Sequence, residues 1–135
     1  MKILPWHKSY SVHVKIIDAQ HKNANEIINN LFMAVQKNNY KEIKKLMKEF
    51  VKDLRDHFDT EEKLMKQYND LSYFSHKLEH QRVIRKYEKI NEEIQKKKYP
   101  KISPEFFESF ERWFKNHLHF KDYKLGEFLK KKGVK

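Results

Sequence analysis

The sequence predicts an all-α fold, an antiparallel up-down-up-down four-helix bundle with a non-helical N-terminal arm and a short C-terminal extension. Three observations carry that prediction. The 135 residues include only two Gly and three Pro, with 36% charged residues, a composition that suits helices and starves a β-sandwich of turn residues. Apolar side chains recur at spacings of three and four along four long segments. The connections between those segments are short, which places successive helices side by side and antiparallel.

The first segment covers roughly 18 to 38. Asp18 is the expected N-cap, and His21, Ile28, Leu31, Phe32 and Val35 share one side. The second runs from about 40 to 67, opened by Asn39 with Glu42 three residues on, a capping-box-like start. Its inward stripe is Ile43, Leu46, Met47, Phe50, Leu54, His57, Glu61, Leu64 and Tyr68. Glu61 therefore faces the core, and Glu62, five residues from His57, is expected to face water. The third segment, about 73 to 96, carries His76, His80, Val83, Tyr87, Ile90 and Ile94 on one seam. Tyr99-Pro100 breaks the chain, and Ser103-Pro104 restarts it as N-cap and first helical residue. Phe106, Phe110, Trp113 and His117 then line the fourth helix. Residues 1 to 17 are expected to form the arm, anchored through Trp6, and 122 to 135 the extension. No repeat, linker or low-complexity stretch marks a second unit, so residues 1–135 read as one domain.

Composition narrows the chemistry. With no cysteine, disulfides, thiolate zinc sites, iron–sulfur clusters and cysteine nucleophiles are excluded. The net charge of +11 suits a nucleic-acid or anionic-membrane partner in principle. The lysines are nevertheless spread along the chain among Glu and Asp, apart from the runs 96–98 and 130–132. A solvated surface is the better reading, and no nucleic-acid partner is expected. The opening MKILPWHKSYSVHVK has no apolar run of signal-peptide length, and no segment reaches the ~20 apolar residues of a membrane span. The expectation is a cytoplasmic protein.

The inward polar set is His21, His57, Glu61, His76, His80 and His117, with Asp122 undecided. One buried histidine is usually a hydrogen-bonded core residue. Five on the inner seams of four helices are costly to satisfy singly, because an imidazole buried without partners costs on the order of a few kcal/mol. A shared metal is the economical explanation. Imidazole and carboxylate donors suit iron, zinc, copper or manganese, and the set exceeds the four ligands of a structural zinc. Ferritin-type carboxylate sites use Glu-x-x-His pairs, which this sequence lacks. A histidine-rich di-iron site remains as the natural candidate.

The ordered pattern Trp6, Ser11-Val12, Asp18-Ala19-Gln20-His21, His57-x3-Glu61-Glu62, His76-x3-His80 and Trp113-x3-His117-x4-Asp122 resembles the hemerythrin family, in particular its single-domain bacterial members. The resemblance implies that His76, His80 and His117 bind one iron and His21 and His57 the other. Glu61 and Asp122 would bridge the two non-heme irons together with an oxo or hydroxo group. It implies reversible dioxygen binding at the open position of the second iron, for oxygen storage, buffering or delivery, and not enzymatic turnover. An oxygen-consuming enzyme would then be the recipient. The alternative function is an oxygen or redox sensor acting through a separate signalling partner. A di-iron oxidase, peroxidase or nitric oxide handler is less favoured, since no general acid or substrate-positioning loop is visible. Phe58, Phe114, Leu118 and Phe120 adjoin these positions and are candidates for lining an apolar oxygen pocket. His7, His13 and His119 are left over and read as surface or arm residues.

The stretch HLHFKD, residues 117 to 122, adds a structural expectation. His119 and Asp122 would share a helical face by local spacing, whereas the core stripe and the resemblance both select His117. An unbroken α-helix would aim Asp122 away from the core seam. The fourth helix is therefore expected to end or distort between His117 and Asp122, an i→i+5 turn being one form of that distortion.

Overall fold

A computed structural model describes residues 14–117 and 123–134 of the chain. Among these residues five helices follow one another: α1 (Lys15–Gln36), α2 (Tyr40–Gln67), α3 (Tyr73–Lys96), α4 (Pro104–Asn116) and α5 (Tyr123–Lys131). The first four form the bundle, and cross-helix pairs fix its antiparallel order. Asn23 meets Asp53 and Gln20 meets Thr60 between α1 and α2. Glu62 meets His80 and Arg55 meets Glu88 between α2 and α3. Glu79 meets His117 and Lys86 meets Ser109 between α3 and α4. Phe32 against Phe107 and His21 against Phe114 close the ring between α1 and α4.

The helix limits follow from local chemistry. α2 starts as expected, with the Asn39 side chain accepting a hydrogen bond from the Glu42 backbone N–H at 3.3 Å. Pro104 occupies the first turn of α4, and Ser103 ahead of it is held extended at ψ 153°. Asn38 and Asn69 adopt positive φ of 52° and 56° just past α1 and α2. In each case the next residue's N–H reaches back five positions, Asn39 to Ala34 at 3.0 Å and Asp70 to Met65 at 2.8 Å. These are Schellman closures in which asparagine takes the left-handed position usually given to glycine. A chain with two glycines can thus still turn sharply.

Two expectations are corrected at the start of the bundle. Asp18 is not the N-cap of α1, which begins one turn earlier, with extended Val14 at the cap and the Asp18 N–H bonded to the Val14 carbonyl at 2.9 Å. The cause is packing: Val14 and Ile17 are fully buried and draw the chain into helix before any polar cap can act. Residues 15–17 therefore belong to the helix and not to an arm. Trp6, His7 and His13 lie outside the described residues.

Two apolar clusters fill the interior. The larger spans the bundle from Ile28, Leu31 and Ile43 to Phe114, with Phe50 at its centre against Tyr87, Phe110 and Phe106, ring centroids 5.2, 5.2 and 6.1 Å away. The smaller joins Val14, Ile17 and Met65 to Leu125 and Leu129 of α5. The C-terminal extension is thus a helix seated on one end of the bundle. The buried histidines lie in the layer between the clusters.

Candidate metal centre

Each bundle helix delivers its polar residues by the same periodicity that delivers its core. His21 lies one turn beyond buried Ile17 on α1, and His57 and Glu61 are successive turns of α2. His76 and His80 do the same at the start of α3, and His117 closes α4 one turn after Trp113. All six are at most 4% exposed, and Glu61 is completely buried.

Their donor atoms converge in two groups. Glu61, His76, His80 and His117 offer atoms within 4.8 Å of one another, and His21, His57 and Glu61 form a second group by the same measure. Glu61 belongs to both. Its Oε2 stands 3.2 Å from His57 Nε2 and 3.5 Å from His80 Nε2.

The outward ring nitrogens explain why the inward ones are available to a cation. Carboxylate and amide oxygens can only accept, so a histidine facing one donates from that nitrogen and, when neutral, keeps a lone pair on the other. His57 Nδ1 donates to Gln20 Oε1, His80 Nδ1 to Glu62 Oε2 and His117 Nδ1 to Glu79 Oε1, each at 3.1 Å. Gln20 is itself held by its amide nitrogen donating to the Thr60 hydroxyl at 2.9 Å, which donates on to the Asp56 carbonyl. Three chain segments thus repeat one device. A residue adjacent in sequence to an inward donor reaches the next helix round and orients that helix's histidine: Gln20 beside His21, Glu62 beside Glu61, Glu79 beside His80.

With those protons committed outward, the inward atoms are lone pairs facing lone pairs. His57 Nε2 opposes Glu61 Oε2 at 3.2 Å and His21 Nε2 at 2.9 Å. Donor atoms this close favour a positive charge between them, which a bound cation would supply. The donor set and its convergence therefore fit a pair of metal ions sharing Glu61, with imidazoles in the majority.

Aromatic rings pack the remaining faces. Phe58 stacks on His80 at 3.8 Å with the rings 3° from parallel, and Trp113 stacks on His117 at 4.8 Å. Phe114 meets His21 edge-on at 5.8 Å. Of the four pocket candidates, Phe58 and Phe114 therefore do touch the cluster; Leu118 and Phe120 lie outside the described residues, as do His119 and Asp122. Regular α4 ends at Asn116, and His117 lies in a π-helical turn; residues 118–122, over which the sequence expects the helix to end or distort, lie outside the described residues.

Glu62 requires a correction. Its side chain is 17% exposed and bound to His80, not turned to water. Partial burial, with repulsion from Asp59, holds its carboxyl above the usual carboxylate range against the opposing pull of Lys77 and His76. Gln20, Glu62 and Glu79 escape a reading of helical stripes because they sit beside the stripe, on helix flanks. Their signal in the sequence is adjacency to an inward donor combined with a side chain long enough to carry an acceptor oxygen to the next helix.

Comparison with known proteins agrees with this geometry. The family model for the hemerythrin HHE cation binding domain matches residues 12–129. A protein of Aquifex aeolicus (strain VF5) named bacteriohemerythrin is 31% identical over 103 residues, 76% of this chain and 79% of that protein. Two crystal structures of hemerythrin variants, each with one leucine replaced, superpose with a TM-score of 0.88 at 22% identity, covering 96% of this chain and 98% of theirs. No described helix is long and apolar enough to cross a membrane. A matched domain over most of the chain, a bundle of the same shape and a buried histidine and glutamate cluster in its core place this protein in the hemerythrin family.

Proposed function

We propose that the cluster holds two non-heme iron ions and that the protein binds dioxygen reversibly. The observation that carries this reading is the pair of buried donor groups joined at Glu61, with four donors on one side and three on the other among the described residues. His76, His80 and His117 would hold one ion, His21 and His57 the second, and Glu61 and Asp122 would bridge them. Bound there, the iron pair supplies the ferrous–ferric couple on which reversible oxygen binding depends.

The chain's own residues favour binding over turnover. Five imidazoles bring neutral donors where a carboxylate-rich site brings charge, so high oxidation states are less well supported. Among the described residues the half-site of His21, His57 and Glu61 has one donor fewer than its neighbour, which favours it as the place for an external ligand. Phe114 on His21 and Phe58 on His80 and His57 make the surroundings apolar and keep bulk water and protons away. Storage, delivery and sensing share this chemistry and differ in the partner they require.

The test is direct. The purified protein is loaded with iron, reduced anaerobically and exposed to air while its visible spectrum and iron content are followed. About two irons per chain, as the two donor groups require, and an absorption band that appears with oxygen and disappears on deoxygenation are expected. Absence of iron uptake, or irreversible oxidation alone, would overturn the reading.

A further inference from the structure

The two donor groups differ in number of donors among the described residues and in what stands behind three of their histidines, His57, His80 and His117. His80 and His117 donate to carboxylates, Glu62 and Glu79. His57 donates to a neutral amide, Gln20, which is fixed from behind by Thr60. A carboxylate accepting from Nδ1 pushes electron density through the ring and makes Nε2 a stronger donor, whereas an amide orients the ring without that push. Both carboxylates are only partly exposed, with 17% of Glu62 and 29% of Glu79 reaching solvent, so water screens them weakly.

Resting on the two-cation reading above, we infer that the half-sites fill in order: Glu61, His76, His80 and His117 take the first ion, and His21, His57 and Glu61 the second. Glu62 and Glu79 are the positioning residues that widen the gap between the two affinities, and Gln20 keeps the second half-site weaker. The second ion is the one the protein exchanges or loses first. None of the three residues touches the ions; each acts through a histidine on the neighbouring helix.

The experiment is an anaerobic titration of the metal-free full chain with cobalt(II), followed by calorimetry and by the visible absorption of the bound ion. Two resolved steps are expected, the first disappearing in His117→Ala and the second in His21→Ala. Glu62→Gln and Glu79→Gln keep size and an acceptor but remove charge. Each is expected to weaken the first step roughly 10- to 100-fold, to shift its cobalt spectrum and to leave the second step in place, with partial recovery in Glu79→Asp. Gln20→Glu is expected to tighten the second step alone, a gain that misfolding does not produce. A single cooperative step, loss of the first step in His21→Ala, or affinities unmoved by both Gln variants would overturn the inference while leaving a two-cation centre intact. Failure of the parent chain to bind any cobalt would overturn both.

Discussion

The two ends of the bundle are built from the same four helices and solve burial in opposite ways. Toward the α1–α2 turn the inward positions are apolar, and Phe50, Tyr87, Phe106 and Phe110 interlock edge to face. One turn after another toward the opposite end, the same stripes become His57, Glu61, His80 and His117. The apolar end needs only volume and shape. At the polar end each buried ring also needs an oriented partner, and three of those partners come from the helix flanks. A helical stripe therefore specifies what is buried, while the residues beside it specify how buried polar groups are held.

The largest expected effect lies at the apolar end. Phe50→Ala removes the ring on which three other aromatics converge, and large-to-small changes of this kind cost about 3–5 kcal/mol. Urea unfolding of the metal-free protein should show that loss. Two-ion uptake at saturating metal should survive it, because the Phe50 ring packs on Tyr87, Phe106 and Phe110 at the apolar end. Loss of uptake in a variant that remains folded would show that the two ends are coupled and break the distinction.

A smaller effect is expected where the polar end is closed. Leu129 of α5 is fully buried against the cluster of Val14, Ile17 and Met65. Leu129→Ala should cost about 2–4 kcal/mol of stability, within the usual range for a buried leucine. Bound metal should also be released to a chelator faster, since α5 covers the end of the bundle nearest the donors. Unchanged release with reduced stability would make α5 a purely structural cap.

What the sequence made legible follows the same division. The limits of α2 and α3 and the restart at Ser103-Pro104 coincide with the structure because strong local signals and long periodic stripes agree there. The burial and convergence of His21, His57, Glu61, His76, His80 and His117 were readable for the same reason. Three features were not. The start of α1 was hidden because Val14 and Ile17 are buried by α5, an interaction more than a hundred residues distant in sequence. The cap itself was hidden because Leu125, Phe128 and Leu129 form too short a stripe to reveal what they pack on. Glu62 was assigned to water because a helical wheel divides positions into inside and outside, whereas a bundle helix also has flanks facing its neighbours.

The smallest effect separates a flank residue that serves the centre from one that does not. Asp53 faces α1 beside the polar layer and accepts from Asn23. Desolvation by burial holds its carboxyl above the ordinary value of 3.8, with repulsion from Asp56 adding to it and the Asn23 hydrogen bond and His21 opposing. A raised acid pKa means that the folded chain keeps a proton the unfolded chain has lost. The contribution of Asp53 to stability is therefore fully present below pH 3.8 and declines as pH rises through its folded value. Asp53→Asn removes that decline and retains an oxygen to accept from Asn23. Metal-free variant and parent should unfold alike near pH 4, with the variant gaining a modest advantage by pH 7. A variant less stable than the parent by the same margin at every pH would mean that the Asn23 contact outweighs desolvation. Asp53 would then belong with Gln20, Glu62 and Glu79, residues kept for the partner they hold.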